Sequence, residues 1–226
     1  ITTEKVLGST DFRIESVQFD SRKIKAHDVF VAQKGVTVDG HLFIDKAIQL
    51  GAKVIVCEVL PEKISKDITY VKVADANSVL ANLASNYYEN PSLKLKLIGV
   101  TGTNGKTTIA SLLYQLFKKA GFKVGLLSTV KVVVNEKEFN ATHTTPDSIT
   151  INSYLNDMVN EGVDYCFMEV SSHGIHQKRT HGLHFEGGIF TNLSHDHLDY
   201  HNSFAEYRDV KKAFFDSLPK SAFALV

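Results

Sequence analysis

A charge excess of either sign is missing from this chain. Its 226 residues hold 25 Lys plus Arg against 25 Asp plus Glu, a formal net charge of zero. That balance gives no electrostatic footprint for nucleic acid or for an anionic membrane surface. Long apolar runs are missing too, none approaching the ~20 residues that span a bilayer. Cysteine is scarce. Cys57 and Cys166 both lie in apolar, strand-like runs, which excludes a disulfide framework and points to buried thiols in a reduced, cytoplasmic setting. No internal repeat, low-complexity tract or secretory leader is visible. Ile1 is not an initiator methionine, and the chain closes on a strand pattern, Ala222–Val226, so it reads as part of a longer protein. With 43% hydrophobic and 22% charged residues, the composition suits one large globular domain or two small ones.

What is present is organised around Gly99-Val-Thr-Gly-Thr-Asn-Gly-Lys-Thr-Thr108. An apolar run ending at Val100 predicts a buried strand. Ile109, Leu112, Leu113, Leu116, Phe117 and Ala120 then predict one face of a helix. Gly102 and Gly105 allow a tight turn and close approach of a ligand to the backbone. The helix N-terminus supplies N–H groups and a positive dipole end, a match for phosphate. Lys106 adds charge for the terminal phosphates, and the Thr107 hydroxyl is placed to ligate Mg²⁺. The general phosphate-loop pattern has glycine where Val100 stands, so what remains is the shorter Gly-x-x-Gly-Lys-Thr. Gly102, Thr103, Asn104, Gly105, Lys106, Thr107 and Thr108 are the expected nucleotide contacts.

The expected fold class is α/β. Residues 1–90 predict a small N-terminal α/β domain, with strands at 16–19, 28–32, 54–57 and 70–73, a helix stopped by Gly51, and a helical stripe from Val79 to Tyr87. Asn90-Pro91 marks the boundary. Residues 91–226 predict a P-loop-type, parallel-sheet ATPase domain, incomplete at its end: strands and helices alternate, with one hairpin flanking Asn135. Ligands gather at the carboxyl ends of such strands, so the loops after Val100, Val170 and Asn192 should converge.

Two further constellations carry chemistry. Glu169 closes a strand beside the phosphate loop, the expected place for a Mg²⁺ carboxylate. His195-Asp-His-Leu-Asp-Tyr-His201 puts three histidines and two aspartates within seven residues. A metal or catalytic loop is expected there. Zinc is the competing reading, although cysteine-pair and His-Glu-x-x-His spacings are absent. Lys211 and Lys212 lie on the following helix. Thr144-Thr145-Pro146-Asp147 is a turn into a helix with Asp147 or Ser148 as N-cap.

Taken together, Asp20-Ser-Arg22, Thr101-Gly-Thr-Asn-Gly-Lys-Thr107, Thr144-Thr145, Glu169-Val-Ser-Ser-His-Gly174, Gln177 with Arg179, and Thr191-Asn-Leu-Ser-His-Asp-His-Leu-Asp-Tyr-His201 resemble the Mur ligase family of peptidoglycan synthesis. The resemblance covers nearly the whole chain. It implies an ATP-dependent amide ligase that adds a diamino acid, meso-diaminopimelate or L-lysine, to the D-glutamate of UDP-MurNAc-L-Ala-D-Glu through an acyl phosphate. It also implies roles. Phe19, Ser21, Val36, Thr37 and Val38 would hold the uridine diphosphate. Thr144, Thr145, Ser171, Gln177 and Arg179 would hold the muramoyl-dipeptide. Thr107, Glu169, His197 and Lys211 would serve Mg²⁺, with Lys211 expected as a carbamate, and Lys106, Lys211 and His197 would be the catalytic groups. The family carries a third, C-terminal domain that selects the incoming amino acid and is not among these residues, so binding without ligation is expected. The expected partners are ATP, Mg²⁺, the UDP-MurNAc-dipeptide and a diamino acid, with no nucleic acid and no membrane, in a cytoplasmic monomer. A folylpolyglutamate-type ligase, a P-loop kinase or GTPase, and a non-catalytic nucleotide-binding module are the alternatives. The GTPase reading lacks an Asn-Lys-x-Asp guanine reader.

Overall fold

The computed structural model describes residues 2–35, 38–195, 200, 201 and 203–226. The chain divides into two compact units, Ile1–Tyr87 and Tyr88–Val226. The last helix of the first unit stops at Tyr87, ahead of two left-handed residues, Glu89 (φ 57°) and Asn90 (φ 53°). Pro91 then opens a short 3-10 turn, Pro91–Leu93, because its fixed φ suits a first helical position.

In the first unit the order is β1 (Lys5–Leu7), β2 (Val17–Gln18), β3 (Val29–Val31), α1 (Ile44–Gln49), β4 (Val54–Cys57), β5 (Thr69–Lys72) and α2 (Ala76–Tyr87). The sheet runs β1-β5-β4-β3-β2, parallel from β2 to β5. β1 joins antiparallel at the edge, Val6 opposite Val71. All three residues of β3 are buried, as continuous apolar runs of a covered parallel strand should be. Phe30, Ile55, Tyr70 and Ala47 form the centre of this unit's core.

The second unit runs β6 (Lys96–Thr101), α3 (Lys106–Lys119), β7 (Val124–Leu127), β8 (Lys131–Val134), β9 (Lys137–Asn140), α4 (Ser148–Asn160), β10 (Tyr165–Glu169), α5 (Ser172–His176), β11 (Gly187–Phe190), α6 (Phe204–Asp216) and β12 (Phe223–Leu225). The sheet order is β12-β11-β6-β10-β7-β8-β9. Pairing is parallel from β12 to β7, and the β8–β9 hairpin extends it antiparallel. β6 lies between β10 and β11, so their carboxyl ends share one edge.

Ile151, Leu155 and Met158 of α4 are fully buried, each burial contributing about 1.5–3 kcal/mol. The buried face of α3 differs from the expected stripe. Leu112 and Leu116 are exposed, while Ala110 and Tyr114 are buried and Leu113 and Phe117 pack beside them. The reason is aromatic: Phe117 sits edge-on to Tyr165 (4.7 Å) and Phe167 (5.1 Å), which turns that side of the helix to the sheet. α6 approaches the sheet where the strands carry glycine. A Cβ on Gly99 would run into the Phe214 ring, and one on Gly188 would lie 2.9 Å from it. Among the described residues, no helix is long and apolar enough to cross a membrane.

Candidate functional site

Three neighbouring strand ends build the site. After β6 the chain turns through Gly102 (φ 146°) and Gly105 (φ 84°), left-handed backbone that favours glycine. α3 starts at Lys106, and the N–H groups of its first turn have no acceptor within the helix. The loop after β11 clasps this turn. Thr103 N–H donates to Asn192 O (2.9 Å), Asn104 N–H to Asn192 Oδ1 (3.0 Å), and Thr191 Oγ1 to Asn104 O (2.6 Å). The Thr103 hydroxyl is buried, 3.1 Å from Tyr207 OH, and accepts from Ser194 N–H (3.0 Å). Thr103 and Asn104, both expected at the nucleotide, therefore spend these groups on holding the loop. Gly105, Lys106, Thr107 and Thr108 form a turn whose helix-end N–H groups suit a phosphate.

Two lysines meet at Gly102. Lys106 Nζ donates to Gly102 O (3.0 Å) and Thr103 O (2.7 Å). Lys211 Nζ, nearly fully buried, donates to the same Gly102 O (2.8 Å) and lies 4.7 Å from the centre of the Tyr207 ring. Tyr207, Lys211 and Phe214 are the buried positions of α6, so the packing of Phe214 beside Gly99 and Gly188 is what sets Lys211 at the loop.

Glu169 ends β10 with no exposed surface. Its Oε2 accepts from Thr107 Oγ1 (3.0 Å) and Thr129 Oγ1 (3.1 Å), and its Oε1 from Thr129 N–H (2.8 Å). Oxygen ligands of this kind suit a hard divalent cation. Its backbone O accepts from Thr145 Oγ1 (2.9 Å), and that hydroxyl in turn accepts from Ser171 N–H (2.9 Å). Thr145 is thus buried and committed to the β10–α5 turn. Ser171 caps α5 by accepting from Gly174 N–H (3.1 Å).

Arg179 donates through Nη1 to Thr145 O (2.6 Å) and through Nε and Nη2 to Gln177 Oε1 (3.1 and 2.7 Å). Gln177 Nε2 donates to Tyr200 OH (3.1 Å), which fixes which way the amide points. Burial pushes the Arg179 guanidinium below its ordinary pKa, while the charges of Asp147 and Tyr200 oppose that shift. Asp147 is the N-cap of α4, accepting from Thr150 N–H. A cavity of about 300 Å³ is lined by Lys106, Lys211, Thr144, Thr145, Ser171 and Arg179, with His143, Ser172 and His173.

Of the histidine-rich stretch, the His195 ring stacks on Phe204 at 4.5 Å, and buried His201 has Nδ1 3.9 Å from Glu206 Oε1. His197, Asp196 and Asp199 lie outside the described residues. Among the described residues, no three His, Cys, Asp or Glu gather as a metal cluster. Burial pushes the Cys57 thiol up to about 11 and raises Cys166 further, so both are inert.

In the first unit, Phe19 and Ser21 follow β2 and exposed Val38 follows β3, both at the carboxyl edge of parallel strands. Val36 and Thr37 lie outside the described residues. Asp20 caps the 3-10 turn Ser21–Lys23, and the hydrogen-bonded Arg22 guanidinium holds its carboxyl down at about 2. Sequence reasoning missed His41. Its Nε2 accepts from Glu58 N–H (3.0 Å) and Val59 N–H (3.3 Å), which assigns the proton to Nδ1, 2.6 Å from Asp39 Oδ1. The pair ties the segment after β3 to the end of β4, and its only sequence signal is Asp39-Gly-His41. Thr129 was missed as well, lacking any motif.

The family description "Mur ligase middle domain" matches residues 100–226, and "Mur ligase family, catalytic domain" matches residues 13–88. The UDP-N-acetylmuramoyl-L-alanyl-D-glutamate–2,6-diaminopimelate ligase of Phocaeicola vulgatus is 53% identical over 225 residues, covering 100% of this chain and 46% of its own length. A solved structure of a ligase of that name superposes with a TM-score of 0.79 at 26% identity, over 93% of this chain and 44% of that one. The MurF ligase of Thermotoga maritima in complex with ADP superposes with a TM-score of 0.61 at 25% identity, over 92% of this chain and 44% of that one. The chain spans about half the length of the curated relatives it matches.

Proposed function

The chain belongs to the Mur ligase family, and from that premise we propose that it is the nucleotide- and UDP-substrate-binding part of an ATP-dependent amide ligase. The ligase joins a diamino acid to the D-glutamate of UDP-N-acetylmuramoyl-L-alanyl-D-glutamate during peptidoglycan synthesis. Diaminopimelate is the favoured amine because the relative sharing 53% of residues carries it in its name. The observation that carries the reading is the cavity in which Lys106 and Lys211 of the phosphate-loop side meet Thr144, Thr145, Ser171 and Arg179.

In the proposed reaction the D-glutamate γ-carboxylate attacks the γ-phosphorus of ATP, forming an acyl phosphate and releasing ADP. The amine then attacks the acyl carbon, and inorganic phosphate leaves with the C–O bond's electrons. The first turn of α3 binds the phosphates through its N–H groups, and Lys106 neutralises charge on the transferring group. Arg179 has five donors and spends three on Thr145 and Gln177. One N–H on each terminal nitrogen is then left for a substrate carboxylate or carbonyl. Thr107 and Glu169 fit a Mg²⁺ ion, since their oxygens already lie 3.0 Å apart at the helix N-terminus. Bound there, Mg²⁺ would neutralise charge on the β- and γ-phosphates. His197 and Lys211 are proposed to serve a second ion, Lys211 as a carbamate, because CO₂ turns its cation into an anion. Phe19, Ser21 and the segment 36–38 are proposed to hold the uridine diphosphate.

Titration calorimetry tests the reading. This chain should bind UDP-N-acetylmuramoyl-L-alanyl-D-glutamate more tightly than UDP-N-acetylmuramate. Equal affinity would remove the peptide assignment of Thr144, Ser171 and Arg179, and binding of neither would remove the substrate assignment.

A further inference from the structure

Thr129 follows β7 and belongs to no recognised motif, yet it touches both halves of the site. Its backbone N–H and its hydroxyl grip the two oxygens of Glu169 from one residue, at 2.8 and 3.1 Å. The same hydroxyl donates toward the Thr144 hydroxyl oxygen at 3.0 Å. A threonine hydroxyl carries a single proton, so Glu169 and Thr144 share the one on Thr129. Thr144 Oγ1 accepts there, which leaves the Thr144 proton to be donated into the cavity it lines. One proton thus links the nucleotide side to the substrate side.

We propose that Thr129 is a positioning residue that couples the two ligands. By holding Glu169 toward Thr107 it presets the cation and nucleotide side. By donating to Thr144 Oγ1 it frees the Thr144 proton for a carbonyl or carboxylate oxygen of a peptide-bearing substrate. A cation on Glu169 weakens its hold on the shared proton, which then turns to Thr144, and so favours the second ligand. The inference rests on the proposed nucleotide and muramoyl-dipeptide sites. The turn itself is held by another residue: Ser128 Oγ donates to Lys131 O (2.8 Å) and Ser128 N–H donates to the same oxygen (3.2 Å). Removing the Thr129 hydroxyl therefore leaves the turn in place.

The test is calorimetry of UDP-N-acetylmuramoyl-L-alanyl-D-glutamate binding to this chain, with and without saturating ADP and MgCl₂, for wild type, Thr129→Val and Thr129→Ser. In wild type the nucleotide should tighten binding by about fivefold or more, the lower range of measured couplings. Thr129→Val should bring that factor to within about twofold of one, while Thr129→Ser, which keeps the hydroxyl, retains it. Melting temperatures should agree within a few degrees across the three. If Thr129→Val unfolds, Thr129→Ala, which adds no bulk, takes its place under the same criterion. A wild-type factor of one, or an unchanged factor in the hydroxyl-free variant, overturns the coupling. Failure of wild type to bind either ligand overturns the underlying site assignment instead.

Discussion

At the scale of residues, the site is a set of short bonds whose partners come from distant parts of the chain. The placement of Lys106, Thr107 and Glu169 was legible in the sequence because it follows from local context, a glycine turn before a helix and a carboxylate closing a strand. Thr129 was not legible. Its place depends on β7 pairing with β10 so that Leu127 stands beside Met168, a register that no local pattern records. His41 hid for the same reason, its partners lying 17 and 18 positions further along. Asp20 gives a residue-scale prediction with a definite sign. Its pKa is lowered from 3.8 to about 2 in the folded chain, chiefly by the Arg22 side chain. A group depressed on folding stabilises above its unfolded pKa, and that contribution is lost as pH falls through the folded value. Arg22 is largely exposed, so solvent screening holds the contribution to at most about 1 kcal/mol. Urea midpoints measured from pH 5 to pH 2 should fall less steeply for Asp20→Asn than for wild type. Parallel slopes would show that the pair contributes nothing.

At the scale of elements, periodicity located α4 and β10, because each buries a face long enough to leave a pattern. The β8–β9 hairpin was marked by buried β8 and the turn at Asn135 (φ 54°), since β9 itself is exposed throughout. Periodicity could not locate β1, three residues that are exposed or half-exposed at a sheet edge. Nor could it find α5, whose five residues begin on a side-chain cap and span little more than one turn. Half of the α3 stripe held, since Ile109, Leu113 and Phe117 pack on the sheet with Tyr114, but Leu112 and Leu116 are exposed because leucine counts as apolar wherever it stands. The packing of α6 is the element-scale feature on which chemistry depends, since this helix carries Lys211. Gly99→Ala would press a methyl group against Phe214, Phe185 and Val170. Overpacking of this kind costs about 1–3 kcal/mol, or a melting-temperature drop of roughly 2–4 °C per kcal/mol in a chain of this size. Pairing it with Phe214→Leu should recover part of the loss, because the two substitutions share one space. Strictly additive losses in thermal denaturation would mean that the glycine is needed for another reason.

At the scale of the molecule, each unit has its own parallel strands, its own buried cluster and its own carboxyl edge. Phe30, Ile55 and Tyr70 centre the first core, while the Leu155 and Phe167 clusters centre the second. Two cores allow two stabilities, and a ligand held by one unit stabilises that unit by mass action, about 2.7 kcal/mol at a hundredfold excess over Kd. Hydrogen exchange followed by mass spectrometry separates the two. ADP with Mg²⁺ should slow exchange around residues 99–110 and 168–172 and leave residues 2–35 and 38–87 unchanged. UDP should slow exchange around residues 17–23 and 38–43 and leave the phosphate loop unchanged. ADP protection within the first unit, or UDP protection at residues 99–110, would overturn this division of labour.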